Sequence, residues 1–265
     1  MASQKRIRIL TYNVHSCIGT DRRVDPARIA SVIAQAEADI VALQEIDVRR
    51  LRTGRTDQAS MIASLLKMEA HFNPTLTFAE EQYGDAIITS WPTKAVKAGP
   101  LPSRGEPRGA LAVEIAIGDV TLNVVNTHLG LRGRDRIQQM TALIGPAWLH
   151  ASVNPKATIL CGDLNAIPAS ATYRLISRLL KDVQLLGNRP SYATFPSRYP
   201  LMRLDHIFVS NDIRVIDSAV LRNKLTAVAS DHLPVIADLI LEGDTAMPKS
   251  NNPGEKSRGD RAGLV

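Results

Sequence analysis

Cysteine is nearly absent from this chain: Cys17 and Cys161 are the only two in 265 residues. Their spacing excludes a paired-cysteine zinc site or redox motif. Cys161 ends an apolar run and reads as a small core residue. Aromatic residues make up 4%, which leaves little for a nucleic-acid surface built on stacked rings. No apolar run approaches the length of a membrane span. The segment Met1-Ala2-Ser3-Gln4-Lys5-Arg6 leads straight into a strand-like run without the apolar stretch of a signal peptide. A reduced, cytoplasmic protein with no transmembrane segment and no obligate protein partner is the expectation. No internal repeat at a fixed period is visible.

What is present is ordinary for a globular chain: 45% hydrophobic and 22% charged residues, at a length that buries a substantial core. The formal charge of +6 suits an anionic partner such as nucleic acid, a phospholipid headgroup or a phosphorylated metabolite. It does not choose among them, and a merely basic soluble protein has the same balance. One domain over residues 1–243 is expected. Residues 244–265 lack apolar periodicity and read as a disordered tail.

Strand-like runs recur at 7–12, 39–44, 85–90, 110–117, 120–126, 157–161, 204–209 and 234–240. Helical patterns lie between several of them. Asp25-Pro26 supplies a cap and a first-turn proline ahead of Ile29, Val32, Ile33 and Ala36. A second helix holds Met61, Ile62, Leu65 and Leu66, and a third carries Ile137, Met140, Ile144 and Trp148, with Pro146 bending or ending it. Gly118-Asp119 joins two runs as a hairpin. The mixture of hairpins and crossovers predicts an α/β fold of two mixed β-sheets packed face to face, with helices outside.

Polar residues end or closely follow many of these runs: Asn13, Glu45, His128, Asp163 and Asn165, Asp205, and Asp231-His232. Strand ends are where an α/β sheet presents its chemistry. Singly, each reads as a turn residue, a solvated carboxylate or a half-buried histidine. Together they suit one metal-assisted site. Phosphoester hydrolysis needs a cation for the phosphoryl charge, an activated water and fixed donors. Glu45 is a hard carboxylate fit for magnesium or manganese, with Asn13 and Asp231 able to complete the metal's surroundings. His232 can serve as acid or base if Asp205 orients its ring. Asp163 can position or deprotonate water, while Asn165 and His128 donate to phosphate oxygens.

The ordered set Thr11-Tyr12-Asn13, Leu43-Gln44-Glu45, Asn126-Thr127-His128, Gly162-Asp163-Leu164-Asn165, Arg203-Leu204-Asp205-His206 and Ser230-Asp231-His232 resembles the motifs of the endonuclease/exonuclease/phosphatase family. The match spans about residues 7–240. The resemblance implies a four-layer α/β sandwich and divalent-metal phosphoester hydrolysis, by in-line attack of water without a covalent intermediate. It implies that Glu45 binds the metal, that His232 pairs with Asp205, and that Asp163 and Asn165 lie beside the scissile phosphate. Whether Asp163 or His232 is the base stays open. Glu81 resembles a carboxylate that orients the His128-like histidine, and Arg108 a phosphate-contacting arginine. Asp85 departs from the pattern, since asparagine is common there.

His206 is left out, because it neighbours Asp205 on a strand and faces the other way. Arg49, Arg50, Arg52 and Arg55, with Arg132, Arg134 and Arg136, follow site residues closely and are expected either to flank the mouth or to be solvated loop charges. His128 in place of a tyrosine resembles the branch containing deoxyribonuclease-like, sphingomyelinase-like, inositol-phosphatase-like and deadenylase-like members. The first expectation is a magnesium-dependent phosphodiesterase acting on a lipid headgroup or small diester. A DNA or RNA nuclease is the second, and a non-catalytic phosphate-binding protein the third.

Overall fold

The apolar runs form strands because their residues are buried on both faces, which makes alternation invisible and hydrophobicity near-continuous. The computed structural model describes residues 4–149, 157–187 and 190–242, so the tail expected at 244–265 lies outside the described residues. One sheet contains β1 (Gln4–Asn13), β2 (Ile40–Val48), β3 (Glu69–Phe78), β4 (Glu81–Thr89), β11 (Ile213–Val220) and β12 (Val235–Glu242). Its order is β11-β12-β1-β2-β4-β3. The other contains β5 (Thr93–Leu101), β6 (Arg108–Ile117), β7 (Val120–His128), β8 (Ala157–Asp163), β9 (Lys181–Asp182) and β10 (Asp205–Val209), in the order β5-β6-β7-β8-β10-β9.

Each sheet has one parallel pair, β1–β2 in the first and β7–β8 in the second, and its other pairs are antiparallel. Both parallel pairs are joined by a crossover helix, α1 (Pro26–Ala36) and α3 (Gly133–Ile144) respectively. Asp25 caps α1 by accepting the Arg28 N–H at 2.9 Å, with Pro26 in the first turn. Asp57 caps α2 (Gln58–Leu66) in the same way from Ser60. In α2, Ile62 is buried while Met61 and Leu65 are exposed. α3 stops at Ile144, capped by Gly145 ahead of Pro146. The shorter helices are α4 (Ala171–Ile176), α5 (Val183–Leu186) and α6 (Thr226–Ala229).

Alternate residues of one strand serve different layers. Ile9, Ile40 and Ile87 meet Leu111, Val124, Ile159 and Ile207 between the sheets. Leu10, Tyr12, Val41 and Leu43 face outward to Ile29, Ile33 and Ile62 of α1 and α2. On the far side Val125, Leu160 and Phe208 pack under Met140, Leu143, Tyr173 and Ile176 of α3 and α4. Each such fully buried side chain contributes about 1.5–3 kcal/mol of transfer free energy. The result is helix, sheet, sheet and helix: the four-layer α/β sandwich. Cys161 lies buried between the sheets. No helix among the described residues is long and apolar enough to cross a membrane.

Candidate active site

The two parallel pairs end on the same side, so the ends of β1, β2, β7 and β8 bring together Asn13, Glu45, His128 and Asp163. Register adds Asp205: its Cα pairs with Asp163 across β8–β10, and Asp163 pairs with His128 across β7–β8. Directly opposed residues share a sheet face, which sets the two carboxylates and the histidine side by side.

Two backbone irregularities make this convergence possible. Between β2 and β4 the register shifts from Leu43–Ala86 to Ile46–Gly84, so Gln44 and Glu45 together oppose Asp85. This β-bulge puts Glu45 in the left-handed region at φ 61° and turns its carboxylate into the cavity. In β8, Gly162 adopts φ 138°, and a Cβ there would lie 1.9 Å from the Thr127 carbonyl oxygen. Only glycine lets β8 approach β7 closely enough to align Asp163 with His128.

The left-handed backbone at Glu45 has a consequence for stability. A non-glycine residue there costs about 1–2 kcal/mol, against about 0.5–1 kcal/mol for the extra chain entropy of glycine. Glu45→Gly should therefore stabilise the metal-free protein by up to about 1 kcal/mol, raising the thermal midpoint by roughly 2–4 °C. Glu45→Ala keeps the strained φ and should show a smaller rise or none; equal midpoints for the two variants in calorimetry would contradict this reading.

Asn13 donates through Nδ2 to Glu45 Oε1 at 2.9 Å and to Asp163 Oδ2 at 3.0 Å. Its Oδ1 accepts the His15 N–H at 3.0 Å. It thus spaces two carboxylates, with one Oδ1 lone pair left over. Asp163 Oδ1 accepts the Asn165 backbone N–H at 2.8 Å. His232 Nδ1 is 2.8 Å from Asp205 Oδ2, and His232 Nε2 is 3.7 Å from Asp163 Oδ2. Phe195 covers the His232 ring at a centroid distance of 4.8 Å.

The charges follow from these distances. Burial opposes protonation of His232, but the Asp205 carboxylate, by charge and hydrogen bond, pushes its pKa up to about 10. Burial and the Asp205 charge raise the Asp163 carboxyl to about 7, against the pull of His232. Asp163, Asp205 and His232 each offer a ligand atom within 4.8 Å of the others, a grouping able to hold a cation. The Asp205–His232 hydrogen bond, however, commits Nδ1 to a proton.

Hydrogen-bond donors gather beside Asp163, at the start of β6 and the ends of β7 and β8. Arg108, buried on β6, brings Nη1 to 3.0 Å from His128 Nδ1 and pairs with Glu106 at 3.1 Å. A guanidinium only donates, so His128 Nδ1 accepts and Nε2 carries the proton. Burial and the Arg108 charge hold the His128 pKa well below its usual value, so the ring is neutral. Asn165 Nδ2 donates to the Leu129 carbonyl at 2.9 Å, which fixes the amide orientation, and stands 3.1 Å from His128 Nε2. Two protonated nitrogens at that distance cannot bond each other. They form a pair of donors matched to one anionic oxygen between them.

The structure thus gathers Asn13, Glu45, His128, Asp163, Asn165, Asp205, His232 and Arg108. Glu81 pairs with Arg50 at 3.1 Å, and His128 Nδ1 takes its hydrogen bond from Arg108 instead. A carboxylate role at that ring is filled by a cation because Arg108 opens β6, next to β7. Asp231 stands beside Ser230 and His15, 3.4 and 3.9 Å away, with its carboxylate partly exposed. His206 turns to the other face, with Nε2 2.8 Å from the Ala166 carbonyl oxygen and its ring against Tyr173 and Phe208. Asp85 is fully buried, and desolvation pushes its carboxyl up to about 8 despite the Arg108 charge. A neutral carboxyl resembles an amide in shape and in offering a donor and an acceptor, which fits it to a position suited to asparagine.

Sequence reasoning gave no role to Phe195, Gln44 or Asn126. Gln44 Nε2 donates to Asn126 Oδ1 at 2.7 Å, and Asn126 Nδ2 donates to the Leu43 and Ala86 carbonyls, bolting the sheets together beneath the site. The signal for that pair was available: two amides inside otherwise apolar strands must find partners. The cavity over the site has a volume of about 630 Å³ and is walled by Glu45, Tyr83, Arg108, Phe195 and Met202 together with the two site histidines.

Comparison with known proteins agrees with this fold. The family model for the endonuclease/exonuclease/phosphatase family matches residues 10–232. The chain belongs to the endonuclease/exonuclease/phosphatase family. It is 25% identical over 250 residues to the uncharacterized protein YbhP of Escherichia coli, covering 90% of this chain and 98% of that protein. An endonuclease/exonuclease/phosphatase family member from Beutenbergia cavernae superposes with a TM-score of 0.75 at 23% identity, over 89% of this chain and 72% of its own. A mannosyl-6-phosphatase from Bacteroides thetaiotaomicron superposes with a TM-score of 0.70 at 20% identity, over 88% of this chain and 99% of its own. Membership makes the chain a phosphoester hydrolase in general terms and accounts for the sandwich.

Proposed function

We propose that this chain is a divalent-metal-dependent phosphodiesterase, with magnesium or manganese held at Glu45 beside Asn13, and Asp231 completing the metal's surroundings. The observation that carries it is the donor set of neutral His128, Asn165 and Arg108 beside the Asp163 carboxylate, whose Oδ2 lies 3.4 Å from His128 Nε2. A phosphoryl oxygen between His128 Nε2 and Asn165 Nδ2 places phosphorus within reach of a water held by Asp163. The oxygen-only donors of Glu45 and Asn13 suit a hard cation, which takes one or two protein carboxylates and the substrate's phosphate. When bound it supplies positive charge to the phosphoryl oxygens.

Asp163, with its pKa near neutrality, accepts the proton of the attacking water. His232, held protonated by Asp205, donates from Nε2 to the phosphate or the departing oxygen. Attack is in line, and Arg108, His128 and Asn165 receive the charge that grows on the phosphoryl oxygens. The arginines around the cavity favour a diester over a monoester. Arg50, Arg52 and Arg108 are paired with Glu81, Asp47 and Glu106, which leaves less net positive charge than a phosphate dianion calls for.

A panel of p-nitrophenyl phosphate, bis-(p-nitrophenyl) phosphate, plasmid DNA and RNA, with and without magnesium, tests this. Metal-dependent turnover of the diester is expected, falling about 10²–10⁴-fold in His232→Ala and becoming unmeasurable in Glu45→Ala. Preference for the monoester would replace the diester reading. Phosphate binding with no turnover would make the chain a non-catalytic binder, and nucleic acid as the sole substrate would make it a nuclease.

A further inference from the structure

Two loops beside the cavity carry large apolar side chains into solvent. In the first, Leu131 lines the cavity yet is 77% exposed, and the exposed Arg132 and Arg134 follow it. The second is closed by backbone hydrogen bonds between Phe195 and Met202, each 2.9 Å, with the Tyr199 N–H on the Pro196 carbonyl. Its base, Phe195 and Met202, lines the cavity, and Phe195 covers His232. Its tip is Arg198-Tyr199-Pro200-Leu201, where Tyr199 is 76% and Leu201 82% exposed. Neither Arg132, Arg134 nor Arg198 has a carboxylate within 4.0 Å among the described residues, whereas Arg50 and Arg52 deeper in the cavity are paired.

Exposed apolar side chains grouped at a site mouth mark an interaction surface. We infer that this rim docks on an anionic phospholipid surface and presents the lipid's phosphodiester to the site, an inference that rests on the phosphodiesterase reading above. The composition selects the partner. Leu131, Leu201 and Met202 are aliphatic, Tyr199 is the one aromatic at the two exposed tips, and the Phe195 ring is engaged with His232, so the rim offers insertion into a headgroup region and little platform for base stacking. The unpaired arginines supply the complementary charge. Because the second loop is tied at its base to the ring over His232, the membrane-facing tip and the reacting phosphate sit at the two ends of one short, hydrogen-bonded segment.

The test is sedimentation of the full chain with phosphatidylcholine vesicles, with and without phosphatidylglycerol, in chelator so that binding is read without turnover. Binding to the anionic vesicles, weakened by salt, is expected. Tyr199→Ser/Leu201→Ser and Arg132→Glu/Arg134→Glu should each lower partitioning roughly tenfold or more, with melting temperature and magnesium-dependent turnover of bis-(p-nitrophenyl) phosphate unchanged. Absence of binding to either vesicle, binding indifferent to both pairs of substitutions, or binding of single-stranded nucleic acid in place of vesicles overturns the inference. Diester turnover without vesicle binding removes the docking surface alone; vesicle binding without turnover of any phosphoester removes the hydrolase reading alone.

Discussion

Asp163→Asn should lower kcat by about 10²–10⁴ while raising the melting temperature. The two effects have one cause. Asparagine keeps the side-chain shape, and its oxygen can still accept the Asn165 N–H that holds Oδ1 at 2.8 Å, so the loop stays in place. What is lost is the group that takes water's proton, together with the acceptor of the Asn13 Nδ2 hydrogen bond, a loss of about 1 kcal/mol that the relieved ionisation outweighs. In the folded protein, burial and the Asp205 charge lift the Asp163 pKa to about 7 from the ordinary 3.8. An acid whose folded pKa is raised binds its proton more tightly in the native state, so its ionisation costs stability progressively as pH rises from the unfolded value to the folded one. Neutral asparagine removes that cost, and the gain in melting temperature should be largest above about pH 7 and vanish in acid below the unfolded value. The same pKa shapes activity: wild-type turnover should decline as pH falls below about 7, where the base protonates, and the residual activity of Asp163→Asn should lack that limb. Initial rates across pH, beside calorimetry of both proteins without metal, check both halves. A variant that loses activity and stability together would mean that Asp163 serves the fold first.

Strands β1, β2, β4, β6, β7, β8, β10 and β12 were legible because Ile9, Leu43, Val113, Leu160 and their neighbours are buried on both sheet faces. The strands without a sequence signal, β3, β5, β9 and β11, are the edges of the two sheets. Edge strands carry prolines and interrupting charges: Asn73-Pro74 in β3, Lys94, Lys97 and Pro100 in β5, Arg214 and Asp217 in β11. They are half-exposed, so nothing forces their residues to be apolar.

The same logic divides the site. Asn13, Glu45, His128 and Asp163 are polar residues at the ends of apolar runs, which makes them visible one at a time. Phe195 sits in a loop, and its tilted ring contact with His232 arises only when the segment closes on Met202. Glu81 pairs with Arg50 and not with the His128 ring for a comparable reason. The partner of His128 Nδ1 is chosen by which strand lies beside β7, and that strand is β6 with Arg108.

Arg203→Met should be the most destabilising single substitution near the site, by about 3–5 kcal/mol, because it strips the partner from a buried charge. Arg203 pairs with Asp182, which also accepts the Tyr173 hydroxyl at 2.6 Å and the Gln184 N–H at 2.9 Å, with His206 Nδ1 3.8 Å away. All of this lies behind Asp205, on the opposite face of β10, and ties edge strand β9 and the Ala166 carbonyl to the strand that orients His232. Burial alone would raise the Asp182 carboxyl; the nearby His206 ring, the charge of Arg203 and the Tyr173 hydroxyl hydrogen bond outweigh it and hold the pKa at about 2. A folded pKa below the unfolded value means that the ionised carboxylate stabilises the fold at all pH above 3.8, and that this contribution is lost as pH falls through about 2. The difference between wild type and Arg203→Met should accordingly be widest near neutrality, a drop of roughly 6–20 °C in melting temperature, and should narrow steadily in acid. The double variant Arg203→Met/Asp182→Leu separates charge from packing. Replacing both partners removes the unpaired carboxylate and should recover a large part of the loss, although the Tyr173 hydroxyl and the Gln184 N–H then lack their acceptor. Equal midpoints for the single and double variants would show that the guanidinium acts by filling space, and the electrostatic account of this network would fail.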